Sequence, residues 1–318
     1  MSAPAVDPVA ASAAIGNRLR RTPLLSSETL GMGFGGRAFL KCELFQKTGS
    51  FKTRGVLTKL ASLSPAERSR GVVSISAGNH AAALAYGCAV EGIDCLVVMW
   101  QGASAQKVAA ARGYGATVDL EARDPIEAFE RVKRLEEDEG RTLVHPFDDP
   151  LVQSGQGTVG LEILEERPDT EVVVVPTGGG GLVSGIASAV AGRARVVAVE
   201  PEGSAALHEA LAAGEPRPIV PESIADGLNA PFAGTNALAV CQEHGVESVL
   251  VSEGEIRSAF RFLYERTHLA VEPAAAVGAA ALLAAKVSDV QGRTVVAVVS
   301  GGNVAAKTAA AILAFDEA

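Results

Sequence analysis

The chain reads as an α/β protein with two domains, each a mostly parallel sheet flanked by helices. Two observations lead there. Eight apolar runs of strand length recur, at 38–44, 72–76, 95–100, 116–120, 171–176, 194–200, 248–252 and 294–300. They are apolar throughout rather than at every second position, as in strands buried on both faces. Helix-length segments separate most of them, at 79–90, 105–113, 125–139, 155–166, 182–191 and 253–267, and this alternation is the pattern of parallel strands joined by crossover helices.

In chain order, 10–19 suggests a short helix, and Arg21-Thr22-Pro23-Leu24 turns the chain toward a first strand at 38–44. So many strands exceed one compact small unit, and the charged helix 128–140 followed by 142–150 marks a change of domain. The expected arrangement is discontinuous, with 1–44 and 142–318 forming a large domain and 45–141 a small one. The alanine-rich run 274–285 packs in the core; at 12 residues, with a glycine inside, it is too short to span a bilayer.

The 318 residues are 48% hydrophobic and carry a net charge of -9, with no Lys/Arg run longer than two. That balance leaves no electrostatic footprint for nucleic acid or an anionic membrane, so a bound anion must be held by local geometry. Cys42, Cys88, Cys95 and Cys241 include no C-x-x-C pair and read as small buried apolar residues, which suits a cytoplasmic protein. The N-terminus lacks the basic start of an export signal.

Chemistry concentrates in four places. In Gln46-Lys47-Thr48-Gly49-Ser50-Phe51-Lys52-Thr53-Arg54-Gly55, Lys52 lies between a glycine turn and a helix, beside the aromatic wall of Phe51. A solvated surface lysine is the plain alternative, but a desolvated amine loses its proton readily and becomes a nucleophile or base. A phosphate loop of the Walker type needs glycine directly before the lysine, where Phe51 stands.

Second, Gly178, Gly179, Gly180 and Gly181 join a strand to a helix, so backbone N–H groups and the helix dipole converge on a phosphate-sized anion. A dinucleotide site competes, with Glu200 as its ribose acid, but the G-x-G-x-x-G spacing meets Val183 or Ser184 instead of glycine. Third, Ser76-Ala77-Gly78-Asn79-His80 opens another helix. It reads either as an ordinary cap by Asn79 or as a backbone site for a carboxylate, with Asn79 able to bond a phenolic oxygen. Fourth, Ser300-Gly301-Gly302-Asn303 ends the last strand and offers a hydroxyl. An amine, a phosphate cup, a phenolate donor, a hydroxyl for a ring nitrogen and a carboxylate pocket together suit pyridoxal phosphate carrying an amino acid.

On these motifs, together with His145-Pro146-Phe147-Asp148-Asp149-Pro150, Ala225-Asp226-Gly227 and Glu272-Pro273, the chain resembles the fold-type II pyridoxal-phosphate enzymes of tryptophan synthase β-like architecture. Within them it is similar to the threonine/serine dehydratases and serine racemases, in the catabolic type without a regulatory domain. The resemblance implies that Lys52 carries the cofactor as a Schiff base, that Gly178, Gly179, Gly180 and Gly181 hold its phosphate, and that Asn79 meets its phenolic oxygen and Ser300 its pyridine nitrogen. Phe51 and Gly227 would flank the ring. Ser76, Ala77, Gly78, Asn79 and His80 would take the substrate carboxylate. Glu272 lies either near the ring or before Pro273 as a structural acid.

A serine hydroxyl cannot keep the pyridine nitrogen protonated as an aspartate would, which favours β-elimination and disfavours transamination. Lys52 would remove the α-proton, and the cofactor phosphate would assist loss of the β-hydroxyl. Ala77 stands where racemases of this group have a proton-transferring serine, which weakens the racemase alternative. Many relatives bind a divalent cation through positions matching Glu200, Ser204 and Ala206; alanine supplies no side-chain oxygen, so a magnesium or calcium site is expected to be weak or absent.

The expected activity is therefore deamination of L-threonine or L-serine by a homodimer without an isoleucine-sensing domain. A racemase, a dehydratase for another β-hydroxy amino acid and a non-catalytic nucleotide-binding protein are the alternatives.

Overall fold

The computed structural model describes residues 5–76, 78–103 and 105–314; Ala77, in the expected carboxylate turn, lies outside them. The strands are β1 Leu24–Ser26, β2 Arg37–Cys42, β3 Val72–Ile75, β4 Cys95–Trp100, β5 Thr117–Ala122, β6 Thr142–Leu143, β7 Val172–Pro176, β8 Arg195–Pro201, β9 Glu247–Val251 and β10 Thr294–Val299. The helices are α1 Pro8–Ile15, α2 Glu28–Phe34, α3 Lys52–Ala61, α4 Pro65–Arg70, α5 Asn79–Glu91, α6 Ala105–Gly113, α7 Pro125–Glu139, α8 Pro150–Glu166, α9 Gly181–Val190, α10 Ala206–Ala213, α11 Thr235–Glu243, α12 Glu253–Thr267, α13 Pro273–Leu283 and α14 Ala306–Leu313. Among the described residues no helix is long and apolar enough to cross a membrane.

The larger sheet runs β1-β2-β10-β7-β8-β9, and the smaller runs β5-β4-β3-β6. Every pairing is parallel except that of β1 with β2. Valine-rich β7 and β10 are buried along their whole length, which is why they read as continuous apolar runs.

The pattern of apolar runs missed β1 and β6, edge strands of three and two residues with no full burial pattern to betray them. Thr142 and Leu143 pair with Val72 and Val73, so the small sheet reaches two residues beyond the expected return to the large domain. Helix α8 begins at Pro150 rather than 155, because Asp149 caps it by accepting the N–H groups of Leu151 and Val152. The expected helical segments also leave out α2, α4, α10, α11 and α14; the glycines of α2 obscure its period.

Helix α8 is buried against neighbours on two sides. A Cβ on Gly155 would lie 2.6 Å from the Cα of Gly55 in α3, and one on Gly157 would lie 2.5 Å from the carbonyl oxygen of Gly185 in α9. Backbone therefore packs directly on backbone at both crossings. Methyl groups there would push the helices apart and strain a core packed at crystal-like density.

Gly185→Ala should cost about 1–3 kcal/mol in denaturant unfolding, because its methyl would collide with the Gln153 carbonyl. Gly33→Ala, on the exposed α2 with no atom within 4 Å of the added carbon, should leave the midpoint unchanged or raise it. Equal effects of the two substitutions would contradict this packing.

Candidate active site

Lys52 is the first residue of α3, and the loop that delivers it is stitched to the loop after β10. Ser50 forms an antiparallel bridge with Gly301, the Phe51 N–H donates to the Ser300 carbonyl at 3.1 Å, and the Gly302 N–H donates to the Gly49 carbonyl at 2.9 Å. The amine donates to the Pro146 carbonyl at 2.7 Å and lies 5.2 Å from the centre of the Phe51 ring. By area the side chain is only half-buried, yet its crowded surroundings desolvate the amine and push its pKa down to about 8, against the pull of nearby Glu272.

Pro146 links this amine to the glycine turn, because the next residue, Phe147, packs on the turn itself. A Cβ at Gly179 would meet the Phe147 ring at 2.5 Å, and one at Gly181 would meet the Phe147 carbonyl oxygen at 2.8 Å. At Gly178 the obstacle is the Leu228 carbonyl oxygen, also at 2.8 Å. Gly180 has φ 91°, in the left-handed region that only glycine enters without strain. The result is a turn bare of side chains at the N-terminus of α9, whose first N–H groups have no intrahelical acceptor.

The segment around Pro146 is itself firmly held. His145 Nδ1 accepts the N–H groups of Phe147 and Asp148, and Asp148 in turn accepts those of Thr235 and Asn236 at the start of α11. Asp149 pairs with Lys59 of α3 at 2.7 Å.

On the other side, Asn79 leads α5, with Gly78 rather than Asn79 in the capping position. Its amide nitrogen donates to both Glu272 oxygens, at 2.8 and 3.0 Å, and its oxygen accepts from the Asn303 amide at 2.9 Å. Asn303 also donates to the Thr48 carbonyl, which fixes which way the Asn79 amide faces. Glu272 is buried, and burial pushes its carboxyl up to about 7, against the Asn79 hydrogen bond. Although Glu272 precedes the first residue of α13, its side chain makes no capping bond; the carboxylate turns to Asn79 instead. Gly227 and Gly301 flank it: a Cβ at Gly301 would collide with its carboxylate, and one at Gly227 would come within 3.9 Å.

Lys52, Phe51, Asn79, Gly227, Glu272, Ser300 and the glycine turn thus converge from both sheets. Ser76, Gly78 and His80 sit beside them, with the Gly78 N–H donating to Ser76 Oγ at 3.2 Å. The His80 ring points inward, its Nε2 donating to the Val144 carbonyl at 3.0 Å and its Nδ1 buried without a partner. Burial, helped by the nearby Lys52 charge, lowers its pKa to about 3, so this neutral ring leaves only its backbone N–H for a carboxylate.

Glu200 and Ser204 lie behind the glycine turn. Both Glu200 oxygens accept backbone N–H groups of α10, from Leu207 and His208 at 2.8 Å each, and Ser204 donates to the Leu228 carbonyl. Burial raises the Glu200 carboxyl to about 8 while those donors pull it down. A surface cavity of about 310 Å³ lined by Glu202, Gly203, Glu209 and Arg217 shares none of these converging residues.

A lysine of depressed pKa facing a side-chain-free helix N-terminus, on an open α/β frame, fits an aldehyde cofactor bearing a phosphate. The comparisons agree. Residues 15–301 match the family model described as pyridoxal-phosphate dependent enzyme. The chain is 41% identical to an L-threonine ammonia-lyase of Geobacter sulfurreducens over 93% of this chain and 74% of that protein. It is 38% identical to the catabolic L-threonine dehydratase TdcB of Escherichia coli over 98% and 96%. The solved structure of maize serine racemase superposes with a TM-score of 0.92 at 36% identity, covering 96% of each chain. The chain belongs to the pyridoxal-phosphate dependent enzymes and has their fold-type II architecture, and pyridoxal phosphate is its cofactor.

With the cofactor removed, acylation of Lys52 by an amine-reactive reagent should rise with pH and level off just above about 8. Exposed lysines should keep gaining reactivity toward about 10.4. Peptide mass mapping across a pH series reads both, and an ordinary lysine profile at Lys52 would contradict the site geometry.

Proposed function

We propose that this enzyme deaminates L-threonine and L-serine by β-elimination, giving 2-oxobutanoate or pyruvate and ammonia. The observation that carries this reading is the pairing of a lysine amine tuned to about 8 with a hydroxyl, Ser300, at the end of the last strand. When bound, pyridoxal phosphate supplies the electron sink that acidifies the substrate α-proton.

The chain's own residues do the rest. Lys52 would anchor the cofactor, and its free amine would remove the substrate α-proton; an amine titrating near 8 serves as a base close to neutrality. Gly178, Gly179, Gly180, Gly181 and the first N–H groups of α9 hold the phosphate. Asn79, oriented by Asn303, would bond the phenolic oxygen, a reading supported by its amide nitrogen lying beside the buried Glu272 carboxylate. Ser300 would meet the ring nitrogen as a neutral partner, and Phe51 and Gly227 would bound the ring. Backbone N–H groups of 76–80 receive the substrate carboxylate.

Dehydration is favoured over racemisation because residue 77, where the resemblance has the racemases' proton-transferring serine, is an alanine with no group to move a proton, and because both curated relatives above are named for threonine deamination or dehydration. The family resemblance and the cysteine usage support a cytoplasmic homodimer.

A panel of β-hydroxy amino acids should release 2-oxo acid and ammonia in equal amounts from L-threonine and L-serine. Lys52→Ala should lower turnover by about 10²–10⁴-fold. Chiral analysis of recovered substrate decides the racemase alternative: D-isomer accumulating faster than oxo acid would overturn the dehydratase reading. Since Glu200 is already met by α10, magnesium or calcium should change the rate by less than about twofold, whereas strong stimulation would mean that a cation displaces those contacts.

A further inference from the structure

Two residues beyond Lys52, α3 carries a buried cation that the chemistry above does not use. Arg54 is 1% exposed, and each of its five N–H donors finds an oxygen. Nε and Nη2 reach the two Glu43 oxygens at 2.8 Å each, Nη1 and Nη2 reach the Glu162 oxygens at 2.7 and 3.0 Å, and Nη1 also reaches Thr158 Oγ1 at 3.1 Å. Glu43 is fully buried and accepts a further bond from the Thr22 hydroxyl. Lys41, also fully buried, pairs with Glu162 at 2.7 Å and donates to the Thr22 carbonyl at 2.8 Å. Two cations thus meet Glu43 and Glu162 between β2, the turn that follows it, α3 and α8, and Lys41 also lies 3.4 Å from Glu166.

Such a cluster is a poor source of stability, because taking charges out of water offsets most of their attraction and apolar residues of similar volume would serve as well. What a fully satisfied guanidinium fork provides is orientation, since its planar donors accept only one arrangement of partners. Other contacts also bear on this helix: Val56, Leu57 and Leu60 are buried, the Gly55 N–H donates to Gln156 Oε1 at 3.2 Å, and Lys59 pairs with Asp149. The glycine contact between α3 and α8 sets how close the helices come, and of the polar contacts the Arg54 fork is the most directional, because it engages two carboxylates at once. Arg54 and Lys52 are two positions apart, so they leave α3 on nearly opposite faces. A rotation of roughly 10° about the axis would move a side-chain tip at the helix surface by about 1 Å.

We propose that Arg54, clamped by Glu43 and Glu162, is a positioning residue that sets the rotation of α3 and so places the Lys52 amine relative to the glycine turn. This rests on Lys52 being the cofactor anchor. Displacements on the order of 1 Å at a reacting group cost about 10²-fold in rate, so the clamp controls turnover more than substrate affinity.

The test compares cofactor-loaded wild-type enzyme with Arg54→Lys, which keeps the charge and loses the fork. The variant should stay folded and bind cofactor. Its kcat should fall about 10- to 100-fold with KM within about threefold, and the pH midpoint of the bound cofactor's visible band should move by about half a unit or more. A folded, loaded Arg54→Lys enzyme with wild-type kcat and band titration overturns the proposal, as does a loss of activity that only tracks the unfolded fraction. If Arg54→Lys is not recovered folded, Glu162→Gln decides by the same readings, because it loosens the fork from the α8 side at a partly exposed position. Lys52→Ala separates the two claims: if that variant keeps the wild-type visible band, the anchor reading fails and the positioning proposal fails with it.

Discussion

Helix α8 touches α3 at Gly155 and α9 at Gly157, and these two backbone contacts set the span across which the site is built. Helix α3 presents the lysine and α9 presents the glycine turn, so whatever separates the two helices separates amine from phosphate cup. The approach to α8 fills the space between them. Pro146 holds the amine, Phe147 seats the turn, and Asp149 both caps α8 and pairs with Lys59 of α3. Side chains larger than glycine at these crossings would force a different geometry, which ties the chemistry to packing far from the reacting atoms.

Burial works on the ionisable groups of the site in opposite senses. It lowers the Lys52 amine to about 8 and raises the Glu272 carboxyl to about 7, while their mutual attraction opposes both shifts. The two nearby imidazoles are likewise driven away from charge. Desolvation takes His80 to about 3 and His145 to about 4, so both rings are neutral at physiological pH. Lys52 therefore faces the site without competing histidine charge. Glu272 is poised to give or take a proton near neutrality, through a carboxylate that Asn79 holds in place.

Much of this was legible in the residues. All eight apolar runs are strands; β7 and β10 are buried along their length, whereas the edge strands β5 and β9 are only part-buried. The three glycine turns lie where strands feed helices or loops, and Lys52 opens a helix as its neighbours suggest. What escaped was long-range or too short to show a period. Edge strands β1 and β6 are too brief, and Asn303 reaches Asn79 across 224 residues of chain. Arg54 sits in a polar-looking stretch, and its partners come from the turn after β2 and from α8, so burial of that charge could not be inferred locally. Glu200 looked like a depleted cation ligand; the structure shows backbone donors of α10 meeting it, a helix that the sequence pattern did not reveal.

The anchor itself is the claim on which the site, its chemistry and the positioning clamp all depend. Borohydride reduction of the cofactor-loaded enzyme, followed by peptide mass mapping, addresses it directly. The visible band should vanish and the pyridoxyl-phosphate mass should appear on the peptide containing Lys52 and nowhere else. A label on another lysine, or a band that survives reduction, would contradict the account.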